Sequence, residues 1–245
     1  MWYILFFLLI IIGLYIFLRF VWFFRDPIRV PALDKDLILS PADGKVIYIY
    51  PIKGRSIKSI KNGEEISIAE LSGNSELPEE GWAIGIYMSP LDVHFNYSPI
   101  EGKVVFWQRI TTHLNLPMVD LWEYINLTYL RKGVNLFGKK FHLQNERASL
   151  VIENQRLKVG VVEIADKFVN KITPLIKEGD LVKKGQKIGF ISRGSQVDLL
   201  IFRTDIEILV KKGQQVYGVL TPLVKLNPNF PIFNRSLGDK GFKII

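Results

Sequence analysis

The chain has 245 residues, 48% of them hydrophobic, and a formal net charge of +8, so it is long and apolar enough to bury a full core. It has no cysteine, which excludes disulfide frameworks, thiolate metal sites and cysteine nucleophiles. Its three histidines, His94, His113 and His142, lack the i, i+4 spacing of a helical metal site, and its basic residues do not interleave with aromatics, so we expect no metal and no nucleic-acid partner.

The N-terminal segment is typical of a membrane anchor. Residues 2–18 carry no charged side chain, and the apolar run resumes after Arg19. About 20 apolar residues cross a bilayer, and an arginine near the end of such a helix extends its charge to the interface. A cleaved secretory signal would need positive charge before its apolar core and a small-residue cleavage site after it, and neither is present. The sequence predicts a single-pass anchor over residues 1–24.

The charges that flank the anchor predict its orientation. Arg19, Arg25 and Arg29 all lie on its C-terminal side, and positive charge favours the cytoplasmic side of a membrane. We expect the anchor to lie in the cell (inner) membrane, with a catalytic domain over residues 25–245 in the cytoplasm. The positive charge of that domain favours contact with an anionic membrane surface.

The domain after the anchor has the pattern of a predominantly β protein. Pro27 and Pro31 break any helix, and short runs rich in valine and isoleucine alternate with turns. The turn-and-strand sequence Val-Lys-Lys-Gly-Gln occurs at residues 182–186 and again at 210–214. We predict an α+β fold, mostly β, built as a barrel or sandwich of short strands with few helices.

Two segments have apolar residues at helical spacing, namely residues 117–131 and residues 163–176. We predict a helix in each. The longer stretch from His113 to Phe141 contains Trp122 and Tyr129. Tryptophan and tyrosine favour the membrane interface, so we expect this stretch to lie on the bilayer.

The Gly194–Ser195 bond is a candidate for self-cleavage. It follows an apolar run in the segment 189–198. A glycine offers no side chain to block the attack of the next residue's hydroxyl on its own carbonyl, which is the start of an N→O acyl shift. A Gly-Ser pair alone is usually an ordinary turn, so the surrounding residues must support this interpretation.

Two further segments supply catalytic residue types. Asp43 lies in Ser-Pro-Ala-Asp-Gly at residues 40–44, and His94 lies in the segment 89–96. Aspartate, histidine and serine together provide a nucleophile, a proton acceptor and a group that orients it. Each has an ordinary alternative: Asp43 before a glycine suits a turn, and His94 suits a hydrogen-bonded core position.

Six segments together resemble a known family. In chain order they are residues 23–31, 40–46, 88–96, 145–147, 159–165 and 179–198. Their order and spacing are similar to those of the short, bacterial and archaeal form of the phosphatidylserine decarboxylase proenzyme. The resemblance extends from about Phe23 to Phe202.

The resemblance implies a self-made cofactor. It implies cleavage between Gly194 and Ser195 into a β chain of residues 1–194 and an α chain of residues 195–245 that stay associated. Ser195 would become a pyruvoyl group, so no metal and no pyridoxal phosphate would be needed. The amine of phosphatidylserine, a membrane phospholipid, would form a Schiff base with this group, lose carbon dioxide and leave as phosphatidylethanolamine. His94 would be the proton donor, and Asp43 would set its tautomer during self-processing.

Several alternatives stay open at this point. Tyr97 stands where related sequences have a second histidine or an arginine, so the processing base is His94 alone or His94 with Tyr97 or a water. Tyr97 and Arg147 are candidates for substrate binding, and a structural role for Arg147, paired with Glu146 or another acid, is equally consistent with the sequence. The oligomeric state is open, a homo-oligomer included.

Two alternative functions also remain. The first is an archaetidylserine decarboxylase, which acts on an archaeal ether lipid with the same head-group chemistry. The second is a membrane-anchored, non-catalytic adaptor module of the biotinyl or lipoyl type. Such a module needs a lysine at an exposed hairpin tip, where this chain has Ser-Arg-Gly-Ser at residues 192–195.

Overall fold

The computed structural model of the chain describes residues 2–59, 63–112, 115–130, 132, 134–167, 172–191 and 195–227. Ser195 is among these residues. The predictions for His113 and Gly194 concern positions outside them.

The anchor is a helix that changes its pitch near its end. Helix α1 (Trp2–Ile16) continues as a π-helical turn (Phe17–Trp22), which the Phe23 N–H closes by donating to the Leu18 carbonyl at 3.1 Å. By length and composition, Trp2–Trp22 is long and apolar enough to cross a membrane. Within residues 2–22 every side chain is exposed except that of Arg19, which is partly buried.

The rest of the described chain is mostly β, which confirms the predicted class. The strands are β1 (Leu37–Leu39), β2 (Gly44–Lys53), β3 (Ser56–Lys58), β4 (Glu65–Ser67), β5 (Gly81–Met88), β6 (Phe95–Tyr97), β7 (Gly102–Ile110), β8 (Arg147–Glu153), β9 (Lys158–Ala165), β10 (Ile172–Pro174), β11 (Leu181–Val182), β12 (Lys187–Ile191), β13 (Ser195–Ile201), β14 (Ile206–Ile208), β15 (Gln215–Val216) and β16 (Pro222–Leu226). Helices α2 (Ile68–Ser72), α3 (Leu121–Thr128) and α4 (Phe141–Gln144) lie between them.

The two helix predictions have different outcomes. Helix α3 lies inside the predicted segment 117–131 but begins later, because Asp120 and Glu123 form a capping box at its start. The predicted helix over residues 163–176 is wrong. Residues 163–165 are the end of strand β9, and residues 172–174 form strand β10. Strand β9 is rich in β-branched residues and pairs with β8 on one side and with β13 on the other.

One large antiparallel sheet organises the described residues. Its strand order is β11-β7-β8-β9-β13-β5-β2-β3-β4, with β15 paired to β2. Strand β13 lies between β5 and β9, and each of its residues, from Ser195 to Ile201, has a partner on both sides. Two small sheets, β1-β16-β14 and β10-β12-β6, complete the strand pairing.

The large sheet separates two hydrophobic cores. Side chains alternate along a strand, so Val197 and Leu199 of β13 join the core that contains the two small sheets. Leu200 joins the other core, which contains residues of α2, α3 and α4. By the same alternation, Ser195 faces the first core and its neighbour Gln196 faces the second.

Gly85 tests how closely the second core is packed. It lies opposite Asp198 in β13, and a Cβ at this position would overlap the ring of Tyr48, which is 1% exposed. We expect Gly85→Ala to lower the free energy of unfolding by about 1–3 kcal/mol, because overpacking forces a buried ring to move.

Gly160→Ala is the matched control. Gly160 lies in strand β9, on the other side of β13 from Gly85, where an added Cβ would be 3.3 Å from the nearest atoms of Leu200. Denaturant unfolding in detergent should give a clearly smaller loss for this variant, and equal losses for the two variants would contradict the packing argument.

Candidate active site

Ser195 is buried at the first position of β13. Its backbone lies opposite Met88 of β5 and Ala165 of β9, and its side chain is 0% exposed. The hydroxyl donates to Met88 Sδ at 3.3 Å. A thioether is a weak acceptor, so the serine hydroxyl is shielded from water without being held by a strong hydrogen bond.

His94 and Asn96 approach Ser195 from the small sheet that contains β6. The His94 carbonyl accepts a hydrogen bond from the Ile191 N–H at 3.1 Å, in the strand that leads toward Ser195. Asn96 Nδ2 donates to the sulfur of Met88 at 3.6 Å, the same atom that the Ser195 hydroxyl contacts. The sulfur of Met88 therefore joins the His94 segment to Ser195.

The His94 imidazole is buried and has no hydrogen-bond partner among the described residues, at either nitrogen. It packs against the Phe23 ring with 4.1 Å between centroids. Burial lowers the pKa of His94 to about 3, so the ring is neutral at physiological pH and has one nitrogen with a lone pair and one N–H. Buried polar atoms normally have partners, and an unpaired imidazole in the segment that Met88 links to Ser195 therefore marks a candidate reactive group.

Asp43 is held by an arginine rather than by His94. Arg29 Nη2 donates to Asp43 Oδ2 at 2.8 Å, and Arg29 Nη1 contacts Oδ1. The Gly218 N–H also donates to Oδ1 at 2.8 Å. The structure thus brings together Ser195 and the segment of His94, whereas Asp43 lies in a bidentate ion pair and forms no described hydrogen bond to the imidazole.

Tyr97 lies beside this ion pair. The guanidinium carbon of Arg29 is 5.5 Å from the centroid of its ring, and its hydroxyl is buried without a partner among the described residues. Burial raises the pKa of Tyr97 to about 12. The phenol is therefore protonated at neutral pH, which suits a hydrogen-bond donor better than a base.

Arg147 is buried and bonded to the backbone. Its guanidinium donates to the carbonyl oxygens of Glu70, Leu71 and Asn145. The neighbouring Glu146 pairs with Arg109 instead, at 2.6 Å. These contacts favour a structural role, and the assignment of Arg147 to substrate binding stays a prediction.

Glu163 is a buried carboxyl group that the sequence analysis did not identify. It lies opposite Val197 in the pairing of β9 with β13, on the same face as Ser195, and is 2% exposed. Its Oε1 has no hydrogen-bond partner among the described residues, and burial raises its pKa to about 8. In the sequence, the signal for Glu163 was a single acidic residue within the apolar run of residues 159–165. The sequence analysis had assigned part of that run to a helix.

A second polar network lies behind Ser195, on the other face of β13. Gln196 Nε2 donates to Asp198 Oδ1 at 2.7 Å and lies 3.0 Å from His142 Nε2. His142 Nδ1 lies 3.1 Å from the Lys139 carbonyl, which assigns the proton to Nδ1 and makes Nε2 the acceptor. Burial raises the pKa of Asp198 to about 7 and lowers that of His142 to about 4. This network fixes the strand directly after Ser195.

These features define a candidate catalytic site centred on one buried serine hydroxyl. Among the described residues, no group of three or more His, Cys, Asp or Glu side chains is placed to hold a metal ion. The family model of phosphatidylserine decarboxylase matches residues 16–221. The chain belongs to the phosphatidylserine decarboxylase family.

Three curated relatives illustrate the similarity. A phosphatidylserine decarboxylase proenzyme of Carboxydothermus hydrogenoformans is 33% identical over 88% of this chain and 84% of its own length. A protein of Methanocaldococcus jannaschii, provisionally named archaetidylserine decarboxylase proenzyme, is 35% identical over 81% and 85%. A phosphatidylserine decarboxylase proenzyme of Erythrobacter litoralis is 32% identical over 84% and 73%.

The buried Glu163 predicts how stability depends on pH. Its pKa is about 8 in the folded protein, above the ordinary value, so the carboxyl ionises on unfolding at neutral pH. The contribution of this carboxyl to the free energy of unfolding is fully present below the ordinary glutamate pKa. It decreases as the pH rises toward 8, by at most about 1.4 kcal/mol per pH unit. Glu163→Gln cannot ionise and should remove this loss.

The test is denaturant unfolding between pH 5 and pH 8. We expect the stability of Glu163→Gln relative to the wild type to increase with pH over this range. Glu207→Gln, at an exposed position of β14, is the control and should give a constant difference. A constant difference for Glu163→Gln would contradict the assignment of a buried, protonated carboxyl.

Proposed function

We propose that this enzyme decarboxylates phosphatidylserine to phosphatidylethanolamine with a pyruvoyl group that it makes by cutting itself between Gly194 and Ser195. The observation that carries the proposal is the burial of Ser195 at the first position of a strand paired on both sides, next to the segment of the neutral His94. The family and the names of the relatives support the decarboxylation and favour an enzyme over an adaptor module.

The first reaction is self-cleavage. The Ser195 Oγ forms a bond to the Gly194 carbonyl carbon as the bond from that carbon to the Ser195 nitrogen breaks, and the hydroxyl proton moves to the nitrogen. A base then removes the Ser195 Cα proton, and the upstream chain leaves as a carboxylate at Gly194. The dehydroalanine left behind takes up one water and releases ammonia, which gives the ketone. His94 is suited to carry these protons because it is neutral and unpaired.

The residues around Ser195 fit the group that this reaction makes. The backbone partners of β13 would hold it in place, and the Ser195 side chain contacts only a weak acceptor in Met88. The unpaired nitrogens of His94 and the unpaired Oδ1 of Asn96 leave polar groups free for it or for the substrate. A pyruvoyl ketone supplies an electrophile for the substrate amine and takes up the electron pair released with carbon dioxide. His94 would return a proton to the carbon that lost the carboxylate.

Asp43 is proposed to orient His94 during self-cleavage. Its oxygens are engaged by Arg29 and the Gly218 N–H, so this role requires the carboxylate to exchange a bond to Arg29 for one to the imidazole or to a bridging water. Tyr97, close to the same arginine, is proposed to donate a hydrogen bond to the substrate.

The organisation of the mature enzyme follows from strand β13. Its partners β5 and β9 both precede the cut, so the α chain (195–245) would stay bound to the β chain (1–194) through pairing on both sides. We propose further that Trp2–Trp22 crosses the cell membrane once, with the catalytic domain from residue 25 onward on the cytoplasmic side next to anionic lipid. Self-association into a homo-oligomer stays a prediction.

A second substrate is compatible with the same site. The relative in Methanocaldococcus jannaschii carries the name of an archaetidylserine decarboxylase, and that lipid presents the same serine head group. The reaction at Ser195 does not depend on the lipid tails, so the rates with the two lipids in matched vesicles decide between these substrates.

The direct test is the size of the purified chain. The wild type should give two fragments under denaturing conditions and release carbon dioxide from phosphatidylserine in vesicles. Ser195→Ala should remain in one piece and be inactive, because it has no hydroxyl to attack the carbonyl. An active preparation whose chain is uncut would contradict the proposal.

A pair of histidine variants tests the role of His94. Both His94 and His142 are buried, with a lowered pKa, but His142 lies on the opposite side of β13, bonded to Gln196. We expect His94→Gln to slow self-cleavage by about a hundredfold or more, as for a lost acid–base group. His142→Gln should still be cut. Equal cleavage by both variants would exclude His94 as the proton carrier.

A further inference from the structure

A pocket of about 440 Å³ lies where the anchor meets the catalytic domain. Its walls come from the end of the anchor, from α3 and from the edge of the large sheet. Its lining includes Arg19, Phe23, Tyr87, Leu121 and Asp166.

The pocket lies at the sheet edge where β13 begins. Tyr87 precedes Met88, the partner of Ser195 on β5, and Asp166 follows Ala165, its partner on β9. Phe23, also in the wall, packs against His94 at 4.1 Å. The pocket therefore connects the end of the membrane helix with the elements that hold the reactive residues.

Three charged residues line the pocket, and one of them, Asp120, is engaged as the N-cap of α3. The other two, Arg19 and Asp166, have the order of the phosphate and ammonium partners that a serine phospholipid needs. Arg19 is the one residue of 2–22 that is not exposed, and it places a cation on the membrane side. Asp166 lies next to the Ser195 pairing, and its Oδ1 accepts the N–H groups of Met118 and Lys167. In glycerophosphoserine the phosphate is nearer the tails and the ammonium is farther away.

Helix α3, which contributes Leu121 to the pocket wall, has an exposed apolar surface suited to the bilayer. On α3, Leu121 and Trp122 are 76% and 66% exposed, and Tyr129 and Leu130 just beyond it are exposed as well. Large apolar and aromatic side chains at the end of a membrane helix favour the interface. A lipid could thus enter with its head group while its tails remain in the membrane.

We infer that this pocket binds the glycerophosphoserine head group of the substrate, with Arg19 at the phosphodiester and Asp166 at the ammonium. The anchor then forms a wall of the substrate site in addition to attaching the protein. This inference rests on the proposed function and names how the lipid is recognised.

The test moves the positive charge of Arg19 to the next residue without changing the amino-acid composition of the chain. The double variant Arg19→Phe with Phe20→Arg shifts the cation by about a quarter of a turn around the π-helical segment, to a position that is 62% exposed. We expect normal self-cleavage, a KM for phosphatidylserine in vesicles raised about tenfold or more, and a nearly unchanged kcat, because a charge-assisted contact to the phosphate is lost. Phe20→Arg alone, which keeps Arg19, should have the KM of the wild type.

A binding experiment gives a second readout without turnover. The Ser195→Ala protein is titrated with phosphatidylserine, phosphatidylglycerol or phosphatidylcholine, and lipid retention is measured by native mass spectrometry. Moving Arg19 should weaken retention of all three lipids, because each contains a phosphodiester. Asp166→Asn, which keeps the oxygen that accepts from Met118, should selectively reduce the preference for phosphatidylserine over phosphatidylglycerol, which has no ammonium group.

The outcomes separate the two proposals. A wild-type chain that does not decarboxylate phosphatidylserine contradicts the proposed function. An active wild type with an unchanged KM and unchanged lipid retention after the charge is moved overturns the pocket inference. If the double variant is not cut, the Asp166→Asn titration decides, and an unchanged preference between the two anionic lipids overturns the inference.

Discussion

The pairing of β13 on both of its long sides is the constraint on which the rest of the site depends. It buries Ser195 at the start of the strand, places Met88 and Ala165 opposite it, and directs Gln196 into the network on the other face. A break in the chain just before such a strand removes no backbone pair within it. The fold can therefore survive a cut next to a fully buried serine, a requirement for any protein that generates a cofactor from its own backbone.

The segment of residues 23–29 links this site to the apolar N-terminal helix. Phe23 packs on His94 and Phe24 stacks on Phe190. Arg25 donates to the Leu91 carbonyl, Asp26 pairs with Lys187, and Arg29 holds Asp43. Five of the seven side chains of this segment thus contact the domain. Because the contacts are many and specific, the anchor position and the site geometry depend on each other, which is appropriate for a substrate that arrives from the bilayer.

The sequence predicted the features that depend on local pattern. The apolar N-terminal helix, the mostly β domain and the family were confirmed, and Ser195 was found at the start of a strand. The missed features depend on tertiary contacts. Spacing alone made residues 163–176 resemble a helix, and this hid Glu163, whose burial in β9 requires two neighbouring strands. The ion pair between Asp43 and Arg29 likewise depends on how the chain folds back past the N-terminal helix. Hydrophobic periodicity carries no information about such a contact.

The most direct measurement is the exact mass of the C-terminal fragment from a fully active preparation. If the ketone derives from Ser195, this fragment is lighter, by one ammonia, than the same residues with a free N-terminal serine. A fragment with the mass of an ordinary serine terminus, in an enzyme that still decarboxylates its lipid, would contradict the account.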